Sequence, residues 1–328
     1  MRVVFMGSSQ ASATTLRAIL KSTFLKVVGV VTQPDRPSGR HRKMTPCPCK
    51  AYAEERKLSP IITPEKVNAP EVVEQIRALK PDVIVVVAFG QILKKELLEM
   101  APHGCINGHF SLLPKHRGAA PVQDAILSGD KVTGVTIMRM DEQMDTGDIL
   151  LTAIEPICSD DSAGELMDRL AILGAVTMSK ALKMMVAGML KRTPQDHSQA
   201  TYSKKMLKSD GLIDWNLPAD EINRKVRAFD PWPGAYTFRE KALCRPGTSG
   251  RVKILDAHPV LELEETFHAV APGTICAISP IGPVVKAGQG VVTLLSIQPD
   301  GGRPMDGKSF LNGYPMRVGD RFVSNPEA

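Results

Sequence analysis

Asn107 and His109 stand two residues apart in Cys105-Ile-Asn-Gly-His-Phe-Ser-Leu-Leu-Pro114, and Asp145 follows in Met140-Asp-Glu-Gln-Met-Asp-Thr-Gly-Asp148. On a strand, residues i and i+2 leave the same face, so the amide and the imidazole would project side by side. An amide, an imidazole and a carboxylate can together run acyl transfer. The imidazole moves protons, the amide donates to an oxyanion as it forms, and the carboxylate orients the ring. Each residue also has a plainer reading: a histidine satisfied at a strand end, an asparagine capping a turn, an aspartate shaping the turn before Thr146-Gly147. Cys105 lies near Asn107, but nothing in the pattern gives it a base or an activated-thiol setting.

The elements that must carry this trio read as alternating strands and helices. Arg2 to Met6 is a first strand, Gly7-Ser8-Ser9 a tight turn and Ala11 to Lys21 a helix, together a βα unit. The full Gly-x-Gly-x-x-Gly is absent, so the turn reads as packing into a helix. Lys26 to Thr32 is a second strand, Glu71 to Leu79 a helix, and Val83 to Ala88 a strand of β-branched residues suited to a parallel sheet covered on both faces. Residues 89–93 follow at its carboxyl end, where ligands bind in open α/β sheets. After the Cys105 to His109 strand come a helix (Pro121 to Ser128) and strands Gly134 to Met140 and Asp148 to Pro156. A long amphipathic helix spans Ala163 to Ala187, its apolar face including Leu166, Leu170, Leu173, Val176 and Met184. Met178, Met184, Met185 and Met189 read as core filler.

Composition bounds what such a chain can be. The 328 residues allow two domains, and 43% hydrophobic with 23% charged residues describes a soluble globular protein. Six scattered cysteines fit a reduced, cytoplasmic protein better than a disulfide scaffold. Cys47-Pro-Cys49 has no second Cys/His pair at suitable spacing, so no metal is expected. The longest apolar run, Val83 to Phe89, is far short of the ~20 residues of a spanning helix, and Gly7 comes too soon for a signal peptide.

A net charge of +6 hints at a polyanionic partner. The charge concentrates in Gln33 to Pro48, with Arg36, Arg40, His41, Arg42 and Lys43 on a stretch that Pro34, Pro37 and Gly39 should keep irregular. Composition alone leaves two readings open, a solvated surface loop or a phosphate-contacting arm. A second basic stretch, with Lys191, Arg192, Lys204, Lys205 and Lys208, reads as a linker over 190–208. Beyond it, one helix (Ala219 to Ala228) precedes short β segments separated by Gly/Pro turns, the pattern of a small barrel.

Asn-x-His-x-Ser-Leu-Leu-Pro, Arg-Gly-Ala-Ala-Pro, Gly-Val-Thr-Ile-Met-x-Met-Asp and Asp-Thr-Gly-Asp-Ile occur in that order, with Thr32-Gln-Pro-Asp-Arg-Pro37 before them and Arg227-Ala-Phe-Asp-Pro-Trp-Pro233 after. This ordered set resembles the folate-dependent formyltransferases nearly end to end, and among them the branch that acts on methionyl-tRNA. The resemblance implies a Rossmann-like, mostly parallel α/β domain over 1–189 and an OB-like β-barrel domain over 209–328 that contacts tRNA. It implies Asn107, His109 and Asp145 as catalytic residues, with 10-formyltetrahydrofolate as donor and no metal. Phe89, Gly90 and Ile92 would line the pterin pocket, Ser111, Leu112, Leu113 and Pro114 would lie against the folate, and Asp141 would approach the pterin. The family's basic insertion falls at Arg36, Arg40, Arg42 and Lys43, which would contact the initiator methionyl-tRNA, Arg40 foremost. The implied protein is a monomer without membrane association. A formyltransferase for a small amine, glycinamide ribonucleotide or an amino-sugar nucleotide, is the nearest alternative. A catalytically idle RNA-binding module is the alternative of another class. The chain departs from the family at Ser9-Gln10-Ala11, Gly108 and Phe110, and no binding role is carried to the first of these.

Overall fold

A computed structural model of the chain describes residues 1–39, 42–244, 249–261 and 269–324. The elements run β1 (Arg2–Gly7), α1 (Gln10–Leu20), β2 (Lys26–Val31), β3 (Arg36–Ser38), β4 (Lys43–Thr45), α2 (Pro48–Glu55), β5 (Ile61–Ile62), α3 (Pro70–Ala78), β6 (Val83–Val87) and α4 (Lys95–Leu98). They continue with β7 (Cys105–His109), β8 (Arg117–Gly118), α5 (Pro121–Leu127), β9 (Val132–Arg139), β10 (Ile149–Pro156), α6 (Ala163–Val186) and β11 (Tyr202–Ser203). Then come α7 (Ala219–Ala228), β12 (Tyr236–Arg239), β13 (Arg251–Val260), β14 (Ile275–Ile278), β15 (Pro283–Lys286), β16 (Val291–Pro299), β17 (Met305–Asp306), α8 (Gly307–Gly313) and β18 (Phe322–Val323). They form two compact units, 1–122 with 131–157 and 166–204, and 123–130 with 158–165 and 205–328.

The first unit is built on a seven-stranded sheet in the order β10-β9-β7-β6-β1-β2-β5. β5, β2, β1, β6 and β7 are parallel, while β9 runs antiparallel to β7 and β10 antiparallel to β9. Every residue of β6 is buried, as a central strand covered on both faces requires. β10, at the edge, alternates partly buried and exposed residues instead. Ser9 caps α1 in a reciprocal capping box with Ser12, whose Oγ also donates to Val87 O. Gly7 is required there, because a Cβ would come within 2.6 Å of Ser12 Cβ and 2.7 Å of Val87 O. Burial at α6 follows Leu166, Leu170, Met178 and Leu182, whereas Val176 is 62% exposed and does not belong to the apolar face expected from sequence. Gly174 replaces it toward the sheet, letting Phe110 and Val135 approach the helix axis. Met178 is core, while Met189 is exposed.

The stretch expected to be irregular between Gln33 and Pro48 instead contains a small antiparallel ribbon, β3 on β4. Pro37 opposes Met44 in it; a two-stranded ribbon has free edges, so a residue lacking N–H can be accommodated. Arg40 and His41 lie outside the described residues.

The second unit is a curled antiparallel sheet in the order β14-β15-β16-β13-β12-β18, with β17 added to β16. Phe322 N donates to Gly273 O and Ile275 N to Asp320 O, both at 2.8 Å, so the two ends of the sheet meet in a partly closed, OB-like barrel. Its interior holds Trp215, Ile222, Val226, Ile254, Leu294, Phe310 and Phe322. Ile222 and Val226 come from α7, which is otherwise strongly polar and contributes one apolar stripe. The residues read as a linker divide between the units: 190–204 belong to the first and 205–208 to the second.

Candidate active site

β7 places Asn107 and His109 on one face and Gly108 on the other, where its neighbours are Met178, Val87 and Ile137. The His109 ring is buried, 6% exposed, and held between two oxygens. Its Nε2 lies 3.0 Å from His116 O, and its Nδ1 lies 3.6 Å from Asp145 Oδ2. The second distance is an ion-pair approach rather than a hydrogen bond. Asn107 is partly exposed, and its side-chain amide has no hydrogen bond among the described residues. That leaves its N–H groups free for an incoming oxygen.

Asp145 reaches this corner from the loop between β9 and β10. Its Oδ2 accepts from Gly118 N at 2.9 Å, and its backbone φ is +56°. Left-handed backbone is uncommon outside glycine, though aspartate tolerates it better than most residues. Ala88 and His116 also have positive φ, +43° and +57°. Strained residues thus surround β7 on several loops, as they do at many binding sites. Asp141 closes the Asp145 loop on itself: its Oδ1 accepts from Thr146 Oγ1 at 2.6 Å and from Gln143 N at 3.1 Å.

The residues implied in folate binding divide into two kinds. Phe89 is buried in the core beside Met6, Val31 and Val86, so its backbone rather than its ring faces the loop. Phe89 O accepts from Gln33 Nε2 at 3.1 Å and from Ser8 Oγ at 3.4 Å. Gly90 is exposed with φ +84°, and Ile92 is 75% exposed. Ser111 is buried and locks its own turn, Oγ donating to Lys115 O at 2.6 Å. Leu113 N donates to Thr136 Oγ1, which itself donates to Ser111 O. Leu112 and Pro114 are partly exposed beside it.

Cys105 is no nucleophile: burial pushes its thiol up to about 12, and its Sγ donates to Leu97 O. Cys49 is likewise pushed up to about 12 by burial. No group of three or more His, Cys, Asp or Glu able to hold a metal occurs among the described residues.

On the ribbon, Arg36 pairs with Glu65 at 2.6 Å, both side chains mostly exposed. Arg42 and Lys43 are exposed and carry no ion pair among the described residues. Sequence reasoning did not single out Gln33, Thr136, Arg117 or Gln195, all of which bond to the loops around β7. Gln33, Arg117 and Thr136 stood inside three of the quoted motifs, and their roles were signalled by position alone. Gln195 had no local signal, since its partners are some fifty residues earlier.

Comparison with known proteins places these features in context. A family model described as formyl transferase matches residues 1–182, and one described as formyl transferase, C-terminal domain, matches 205–315. A methionyl-tRNA formyltransferase of Symbiobacterium thermophilum is 45% identical, covering 100% of this chain and 97% of its own length. One from Geobacter sulfurreducens is 41% identical over 98% of this chain and 96% of its own. Among solved structures, an N-formyltransferase from Helicobacter canadensis complexed with folinic acid and dTDP-3-aminofucose is similar in fold, with TM-score 0.60 and 18% identity over 89% of this chain and 98% of its own. HypX from Aquifex aeolicus in complex with tetrahydrofolic acid has TM-score 0.59 and 19% identity, covering 97% of this chain and 48% of that one.

Proposed function

The chain belongs to the formyl transferase family, and from that premise we propose how its residues divide the work. It is a formyltransferase that moves a formyl group from 10-formyltetrahydrofolate to the amino group of methionyl-tRNA, giving N-formylmethionyl-tRNA. The observation that carries this reading is similarity of 41–45% along the whole length to proteins with that activity, both units included. The small-acceptor alternative is not favoured by it. The folate supplies an activated formyl group on nitrogen. Exposed Ile92, the backbone of Phe89 and Gly90, the turn Ser111–Pro114 and Asp141 are assigned to the folate, whose flat ring with polar edges suits apolar side chains beside backbone hydrogen-bonding groups.

Asn107 donates from its amide to the formyl oxygen as it gathers negative charge. His109 Nε2 takes the proton of the attacking amine and returns it to the folate nitrogen as that C–N bond breaks, which requires the ring to leave His116 O with its own proton on Nδ1, toward Asp145; such bonds commonly rearrange in the Michaelis complex. Asp145 holds the ring from its Nδ1 side and offsets its positive charge. Arg36, Arg40, Arg42 and Lys43 contact tRNA phosphates, and the barrel unit contributes further tRNA contact. The enzyme acts in the cytoplasm as a monomer. The test is direct: incubate the protein with the donor and with either charged initiator tRNA, glycinamide ribonucleotide or an amino-sugar nucleotide. Formylmethionine on tRNA supports the reading, and formylation of only a small amine refutes it.

A further inference from the structure

We infer that Gln195, on the segment between α6 and β11, is a positioning residue for the carboxylate of Asp145. The inference rests on the reading of Asp145 as the group that orients His109. An aspartate at φ +56° stays there only if its surroundings hold it. Gln195 supplies that hold: its Nε2 donates to Asp145 O at 2.9 Å and to Gly147 O at 2.7 Å. One buried amide group therefore ties both sides of the strained turn.

The amide's orientation is fixed by Arg117. Gln195 is 6% exposed and Arg117 1% exposed. Arg117 Nη2 and Nε donate to Gln195 Oε1 at 2.7 and 3.3 Å. A guanidinium can only donate, so Oε1 must face it and Nε2 must face the two carbonyls. The guanidinium's other hydrogen bonds go to Tyr202 Oη and His197 Nδ1, so among the described residues no carboxylate competes for it. His197 is thereby part of this support.

The same segment fixes Asp145 from its other side. β11 pairs with β8, and Ser203 Oγ donates to Arg117 O. Gly118, at φ +113°, has Ser203 O where a Cβ would stand, 2.4 Å away, so only glycine allows this approach. Gly118 N is the donor to Asp145 Oδ2. The backbone of the turn and its carboxylate thus both take their places from residues 195–203.

The test compares Gln195→Glu and Gln195→Ala, each alone and combined with Asp145→Ala, by kcat and KM for the charged tRNA and the formyl donor. Gln195→Glu keeps size and the Arg117 contact but sets an oxygen against two carbonyls. Expected is a kcat lowered on the order of 10²-fold by displacement of the turn, with KM for the donor little changed. In the Asp145→Ala background, either Gln195 substitution should add little, because both act through one group. Gln195→Glu turning over within a few-fold of wild type, or the full loss recurring without Asp145, overturns the inference. So does loss of folding in both variants, which makes Gln195 a structural residue. Asp145→Ala at the wild-type rate would instead refute the reading of the site itself.

Discussion

The corner around His109 and the ribbon around Lys43 are both polar, yet they are built on opposite principles. At the corner, ring and carboxylate are buried or nearly so: the ring meets His116 O and is approached by Asp145, whose carboxylate accepts from Gly118 N and whose backbone O accepts from Gln195. On the ribbon, Arg36, Arg42 and Lys43 project into solvent, and only Arg36 has an acidic partner. Bond-making chemistry needs groups fixed to within fractions of an ångström. A phosphate backbone needs charge that can follow it. On the function proposed above, the difference in burial is a difference in task.

Breaking the corner should have the largest effect. His109→Ala removes the proposed proton carrier and is expected to lower kcat by ~10²–10⁴. Steady-state formylation with both substrates checks it, and a loss of only a few-fold would transfer the proton work elsewhere. Asn107→Ala follows, with a loss worth ~2.7–4 kcal/mol of barrier if its amide meets the oxyanion. The double variant should lose less than the product of the two single losses, since residues acting as a unit are not additive.

How far this corner was legible from sequence depends on how local its causes are. β7 could be read with its full boundaries, because Asn107 and His109 follow strand periodicity within one short segment. Five of the barrel's strands, β12 to β16, were legible for the same reason, each near Gly/Pro turns, whereas the two-residue β17 and β18 were not. Much of what stayed hidden depends on contacts distant in sequence, as where Gln195 reaches back to Asp145. The engagement of His109 Nε2 by His116 O spans only seven residues and follows from the shape of the loop after β7. Val176 fell outside the apolar face because Gly174 lets the sheet approach two residues earlier, a choice set by Phe110 and Val135 on neighbouring elements. The ribbon escaped notice because Pro and Gly argue against long strands more strongly than against a three-residue pair.

Changes in the basic stretch of sequence from Arg36 to Lys43 should be milder and salt-dependent. Arg40→Ala, Arg42→Ala and Lys43→Ala are each expected to weaken tRNA binding and reduce the slope of log affinity against log salt by roughly 0.7–0.9, if each contacts one phosphate. Arg36→Ala should do less, because Glu65 already shares its charge. Binding titrations at several salt concentrations check both, and a slope unchanged in all four variants would reduce the ribbon to solvated surface. The smallest effect is expected at Cys105. With its thiol pushed up to about 12, it stays neutral from pH 6 through 9, so iodoacetamide on the native protein should leave activity intact. Rapid inactivation with Cys105 labelled would contradict that.

The most direct test of the contrast is single-turnover formylation of charged initiator tRNA by His109→Ala and by Arg42→Ala/Lys43→Ala, with donor saturating and tRNA raised stepwise. The account predicts that the His109 variant stays slow at every tRNA concentration, while the ribbon variant climbs toward the wild-type rate as tRNA saturates. A His109 variant that recovers with tRNA, beside a ribbon variant that does not, would contradict it.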